Sequence, residues 1–191
     1  MKFPIIVLSL FGLVSVTASP IVRIHTELGV IEAELYADKA PATVANFLKY
    51  VDAGRYTGGQ FHRTVTIHPN NQPNNTVKIE VIQGGVNPEF AEQDWPAISL
   101  ERTRDTGLKH LDGTLSMARA GPDTATSDFF VCVGDQPELD FDGKRNPDGQ
   151  GFAAFGRVTK GLDIVRKIQT ASADGQKLTP PVRILKIERL P

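Results

Sequence analysis

Cysteine is almost absent from this chain. Cys132 is the only one, so no intramolecular disulfide can form. It sits in the apolar run Phe129-Phe130-Val131-Cys132-Val133, which marks a buried, inert thiol rather than a nucleophile. Charge of one sign is also lacking. A net charge of −1 excludes bulk electrostatic attraction to nucleic acid or to an acidic membrane. The four histidines, His25, His62, His68 and His110, are scattered without metal-ligand spacing, so no zinc site, no other metal and no cofactor is expected. There is no internal repeat, no low-complexity tract and no coiled-coil pattern, so a monomer is the default expectation.

What is present is a globular composition, 40% hydrophobic and 23% charged over 191 residues. That length suits one domain with a real core and is short for two. The first eighteen residues differ in kind. Met1-Lys2 is a short positive start, Phe3 to Val14 is almost wholly apolar, and Val16-Thr17-Ala18 offers small residues at a cleavage site. This pattern reads as a secretory signal cleaved near Ala18. The apolar run is shorter than the roughly 20 residues that span a bilayer. Residues 19–191 are then the mature domain, exported and expected to be periplasmic in a Gram-negative cell and secreted otherwise, with no membrane attachment after cleavage.

Along that domain, Ile21 to His25 and Val30 to Tyr36 read as strands around a turn at Glu27-Leu28-Gly29, and alternation turns Ile31, Ala33 and Leu35 inward. Pro41 starts a helix with Val44, Phe47, Leu48 and Val51 on one face, stopped by Gly54. Further strands are predicted at Gln60 to Val65, Lys78 to Gln83, Gly113 to Ala118, Asp128 to Val133, Phe152 to Thr159 and Val182 to Leu190, with a second helix at Leu162 to Thr170. Polar loops fall at 68–76, which includes an Asn74-Asn75-Thr76 glycosylation sequon, at 87–112 and at 139–151. The aspartates of the last loop are interrupted by Lys144 and Pro147, which breaks the spacing of a calcium loop. Many strands with two helices predict a mainly β fold, a closed antiparallel barrel capped by two α-helices.

Three motifs stand out: Phe61-His62-Arg63, Val81-Ile82-Gln83-Gly84-Gly85, and the stretch from Gly113 to Phe130. No nucleophile–base pair accompanies them. Ser116, His110 and Asp112 lie close in sequence, but a Gly-x-Ser-x-Gly elbow is missing, which argues against a hydrolase. One arginine, one glutamine, small residues and aromatics suit a site that binds and twists rather than breaks bonds. In order and over Ile21 to Leu190, these residues resemble the cyclophilin family of peptidyl-prolyl isomerases. The resemblance implies an eight-stranded barrel and catalysis of Xaa-Pro rotation in loosely folded, proline-containing polypeptides. It also implies a role in the folding of exported proteins. The alternative is a catalytically weak cyclophilin-like module that only holds proline-containing segments, as a chaperone does.

The barrier to be lowered is about 18–20 kcal/mol, set by amide resonance. A donor at the prolyl nitrogen stabilises the lone pair that localises as the amide twists, and an apolar pocket holds the ring. On strand position alone Arg63 reads as a surface strand arginine with a salt-bridge partner. By the resemblance it is the catalytic cation. Gln83 then matches the family's substrate-binding glutamine, with Val81 on the same strand face; its bland alternative is a side chain capping local backbone. Phe129 and Phe130 point to opposite faces, and by the resemblance Phe130 is the pocket ring. Ala118, Arg119 and Ala120 match the segment that offers backbone hydrogen bonds, and Leu139 and Phe152 match the apolar wall. Each of these apolar residues also reads as plain core. Gly84 and Gly85 read as the turn that ends a strand.

The chain departs from the family at Glu80-Val81, where Phe-Met is frequent, at Arg119 in place of asparagine, and at Asp128 in place of glutamine. Glu80 places a charge at the expected pocket rim. Glu138 falls where many eukaryotic members carry a tryptophan that contacts cyclosporin, so low sensitivity to that inhibitor is expected. The inserted loop, the signal and Glu138 resemble exported bacterial members.

Overall fold

The computed structural model describes residues 19–191; the expected signal segment lies outside them. The chain begins as a hairpin of β1 (Ile21–Thr26) and β2 (Gly29–Leu35), followed by α1 (Pro41–Asp52), β3 (Gln60–Val65) and β4 (Val81–Gly85). A four-residue helix, α2 (Thr103–Thr106), precedes β5 (Thr114–Met117), β6 (Phe129–Cys132) and β7 (Ala153–Lys160). The chain closes with α3 (Leu162–Gln169), the two-residue β8 (Ala173–Asp174) and β9 (Lys177–Arg189). The strands join in the order β1-β2-β7-β5-β6-β4-β3-β9, and β9 pairs back to β1, so eight strands close a wholly antiparallel barrel. Closure leaves no open edge on those eight strands. β8 pairs only with β9.

Three expectations shift. β4 begins at Val81 rather than Lys78, because the loop before it is held by side chains and not by a ladder. β9 runs thirteen residues rather than nine, its first part forming a hairpin with β8. The stretch expected to be irregular before Gly113 contains α2, so the described residues hold three α-helices rather than two.

The interior is aromatic. Phe47 of α1 meets Phe129 edge-on at 5.4 Å between centroids and Phe155 at 5.1 Å. Tyr56 and Phe61 also stand edge-on to Phe129, at 5.6 and 5.8 Å. Such pairs add about 0.5–1.5 kcal/mol each beyond the area they bury. Val44, Leu48 and Val51 are buried with Phe47, so α1 plugs the barrel with the face its spacing predicts. Pro41 opens α1 without a local side-chain cap. The Glu101 carboxylate does that work from a distance, accepting from the Ala42 and Thr43 amides (3.1 and 2.8 Å) and from the Thr43 hydroxyl (2.6 Å). An anion there also complements the positive end of the helix dipole.

A smaller apolar cluster lies outside this core: Val65, Ile79, Val81, Phe130, Cys132 and Leu139, with Ala118 and Phe152 against it. Adjacent residues Phe129 and Phe130 therefore serve two different layers, as strand alternation requires. Cys132 is fully buried there, and burial pushes its thiol well above the usual value.

Candidate active site

Strand register builds the site. Ser116 is paired with Phe130, Phe130 with Gln83, and Gln83 with Arg63. One row thus crosses β5, β6, β4 and β3 on the outer face of the barrel. The row depends on an irregularity in β3. Phe61 pairs with Gly84 and Arg63 with Gln83, so two residue steps on β3 match one on β4. This is a β-bulge. Without it Phe61 and Arg63 would share a face; with it Phe61 is in the core and Arg63 faces the groove.

Gly84 and Gly85 are therefore not a terminal turn but part of β4. A Cβ on Gly84 would lie 2.8 Å from the Phe61 ring, and one on Gly85 would collide with the Asp128 carboxylate. The glycines admit the bulge and the neighbouring acid.

Arg63 is held on two sides. Its Nε and Nη2 donate to Gln176 Oε1 at 2.8 and 2.7 Å, and its Nη1 donates to Gln83 Oε1 at 2.9 Å. Gln83 Nε2 in turn donates to Asp128 Oδ2 at 2.9 Å, and His62 Nε2 lies 3.5 Å from the same oxygen. The chain Gln176–Arg63–Gln83–Asp128 fixes both the guanidinium plane and the sense of the Gln83 amide. Each terminal nitrogen of Arg63 keeps one N–H with no partner among the described residues. Burial lowers the Arg63 pKa, though a guanidinium stays charged in proteins. Burial raises the Asp128 carboxyl, with Asp94 adding to that and the Gln83 hydrogen bond and His62 opposing it.

A cavity of about 470 Å³ lies over this row, and Arg63, Val81, Gln83, Ala118, Arg119, Ala120, Phe130, Leu139 and Phe152 all line it. Phe152 stands edge-on to Phe130 at 5.3 Å. Arg119 contributes its backbone rather than its charge. Its side chain is bidentate to Asp148 (2.8 and 2.9 Å), donates to Gly151 O at 2.8 Å and is almost fully covered. Its own N–H and C=O make no hydrogen bond among the described residues, while the flanking Ala118 and Ala120 amides are used by Asp128 O and the Thr124 hydroxyl.

Two departures look different in three dimensions. The Glu80 side chain does not line the groove; it accepts from Gln169 Nε2 of α3 at 3.1 Å, and Ile79 supplies apolar wall beside Val81. Its expected place at the rim is corrected by the alternation of chain direction at the start of β4. Glu138 is likewise not among the lining residues, its carboxylate accepting from the Lys144 amide at 2.8 Å.

Sequence reasoning missed Gln176, Ile79, Thr124, Thr126, Arg145 and Asn146. Gln176 lies 113 positions from Arg63; the Asp174-Gly175 pair before it is a hairpin signal that would have found the turn but not its target. Ile79 lies in the strand predicted from Lys78, where alternation with Val81 would have marked it; the rest are loop residues that no periodicity marks.

A second constellation lies just beneath. His110 Nδ1 is 2.8 Å from Asp140 Oδ1, and His110 Nε2 is 2.9 Å from Ser116 Oγ. The acid is Asp140, not the Asp112 suggested by proximity in sequence. Burial would raise Asp140, but hydrogen bonds and charge from His110, with Lys109, carry it below the usual carboxylate range. Ser116 is fully buried and His110 stacks under Phe130 at 6.0 Å. With Ser116 and His110 closed off from solvent, the serine is out of reach of a substrate, and the constellation braces the pocket floor.

Residues 21–189 match the family model "Cyclophilin type peptidyl-prolyl cis-trans isomerase/CLD". The chain belongs to the cyclophilin family. A peptidyl-prolyl cis-trans isomerase of Streptomyces antibioticus is 36% identical over 163 residues, covering 83% of this chain and 90% of that relative. One of Acinetobacter baylyi is 36% identical over 177 residues, covering 90% and 86%. Among solved structures, a Cryptosporidium parvum cyclophilin in the presence of the dipeptide Ala-Pro aligns with a TM-score of 0.71 at 23% identity, over 90% of this chain and 99% of that one. The barrel expected from the sequence is thus the cyclophilin barrel, and the family's relatives of this chain include bacterial and eukaryotic proteins.

Proposed function

We propose that this cyclophilin catalyses cis–trans rotation of Xaa-Pro bonds by non-covalent stabilisation of the twisted amide at the groove just described. The observation that carries this is the tethered Arg63 beside Phe130. A guanidinium held on two sides keeps two N–H groups for the groove, next to an apolar surface that accepts a prolyl ring. As the amide twists, its nitrogen lone pair localises and becomes an acceptor. Arg63 donates to it, and the ring stays on Phe130, Val81, Leu139 and Phe152. The Arg119 backbone holds the residue before proline by strand addition, and Gln83 Nε2, which spends one N–H on Asp128, keeps the other for the substrate carbonyl. A 10⁵-fold acceleration needs about 7 kcal/mol, within reach of directed donors plus pre-organisation. No electron or covalent bond is transferred, and no cofactor enters the scheme.

The clients are loosely folded, proline-containing chains. We place the work outside the cytoplasm, where the Met1 to Ala18 pattern sends the domain, and there the isomerase shortens uncatalysed steps that last tens of seconds or more. A pure binder is favoured only if the departures at Glu80 and Asp128 disturb the groove. Glu80 faces α3, and Asp128 orders Gln83.

The test is magnetisation-exchange NMR on a short Xaa-Pro peptide, with the protein beside Arg63→Ala. Wild type is expected to accelerate exchange, and the variant to lose about 10²–10³-fold, the usual cost of removing one transition-state donor. Acceleration that survives the substitution sinks the assignment of Arg63. A folded wild type without acceleration leaves a binding module.

A further inference from the structure

The isomerase reading leaves a second groove cation, Arg145, without a task. Arg145 lies in the loop that follows Leu139 and lines the same cavity as Arg63. Its Nη1 donates to Gln72 Oε1 at 2.8 Å and to Val77 O at 2.7 Å, which uses both hydrogens of that nitrogen. Nε and Nη2 make no hydrogen bond among the described residues, and no described carboxylate pairs with Arg145. Arg119, in contrast, is neutralised by Asp148.

Its support is purpose-built by the inserted loop. Gln72 is fully buried. Its amide donates to Thr66 O and Ile79 O at 2.7 and 2.8 Å and its oxygen accepts from the Ile79 amide at 3.3 Å as well as from Arg145. The loop is thereby folded into a pedestal under the guanidinium. Burial, and then the charge of Arg63, both lower the Arg145 pKa. A partly buried cation near another cation, lining a cavity and without a carboxylate partner among the described residues, is an arrangement that an incoming carboxylate relieves.

The sheet order says which carboxylate. Ala118 to Ala120 follow β5, at one end of the row that runs through Phe130 and Gln83 to Arg63 on β3. Arg145 rests on the loop that leaves β3, so it lies at the Arg63 end. With the residue before proline on the Arg119 backbone and the ring on Phe130, the chain after proline leaves toward Arg145.

We propose that Arg145 forms a subsite for an acidic side chain after the proline, so that Xaa-Pro segments followed by Asp or Glu are the preferred substrates. This rests on the isomerase reading above, and the experiment separates the two. Exchange NMR is run on three peptides that differ only in carrying Glu, Gln or Lys directly after proline. For wild type, kcat/KM is expected in the order Glu, Gln, Lys, with Glu about five- to tenfold above Gln at low salt and the gap narrowing in 0.5 M NaCl, where the Debye length is only a few ångströms. Arg145→Gln is expected to bring the Glu-to-Gln ratio to about one, and Arg145→Lys to keep part of it through its charge. Equal turnover of the three peptides by wild type overturns the subsite and leaves the isomerase standing. A Glu preference that persists in Arg145→Gln overturns its assignment to this residue. A Glu preference that appears instead in a second pair of peptides, carrying Glu or Gln directly before proline, overturns the side. No turnover of any peptide overturns the isomerase reading on which the subsite rests.

Discussion

Asp128 shows how one substituted residue can be absorbed by a site. An amide there would donate or accept; the carboxylate only accepts, and it takes the Gln83 N–H while His62 stands near. Burial raises its pKa, so the folded state prefers the protonated acid. That stabilising preference is full below the unfolded carboxylate pKa and is lost as pH rises through the raised folded value. Asp128→Asn keeps an acceptor for Gln83 and has no charge to desolvate. Its Tm is expected to match wild type near pH 3.5 and to exceed it at pH 7; thermal melts across that range check this, and a difference independent of pH refutes it. Gln83 and Arg63 were legible as single residues from their motifs. Their partners were not. Gln176 and Asp128 come from other strands and loops, and no local pattern encodes a hydrogen bond across 113 positions.

At the scale of elements, α1 carries its own apolar face but not its own cap. Three donors at its start depend on Glu101, a residue from the long connection before β5. Glu101→Ala is expected to cost about 1–2 kcal/mol, within the range of lost helix caps. For a domain of this size that lowers Tm by about 2–8 °C, measurable by calorimetry. Glu101 lies outside the groove, so peptide turnover per folded molecule is the control that separates a cap from a catalytic role. The helices and most strands were readable from sequence pattern, because α1 repeats at helical spacing, β2 alternates, and β6 is a short apolar run. β3 was readable in extent and misleading in facing. Alternation assigns Phe61 and Arg63 to one face, and the bulge parts them.

Closure of the barrel makes the molecule cooperative. β1 and β9, the first and last strands, are paired, so the ladder has no end from which to fray. Cys132 sits inside this closed ladder, unexposed and with its thiol pushed well above the usual value by burial first and then by Asp140, Asp112 and Asp135. A thiol reagent is therefore expected to label native protein only at the rate of global unfolding, and denatured protein at once. Rapid labelling under native conditions would show that β6 opens locally. The same closure explains why ligand selection falls to the loops: the strands are committed to each other, and the segments at 66–79 and 139–151 are left to shape the groove rim.

The sequence by itself determined the single domain, the sole cysteine, the alternating strands, the amphipathic helix and the three motifs that line one cavity. Those are local properties, set by composition and by side-chain periods of two and 3.6. Tertiary structure decided the facing of Arg63, the turn of Glu80 toward α3, the choice of Asp140 over Asp112, and the pedestal that holds Arg145. Each of these depends on register between distant strands, where one extra residue in β3 reverses a side chain, and register is settled only when the whole barrel closes.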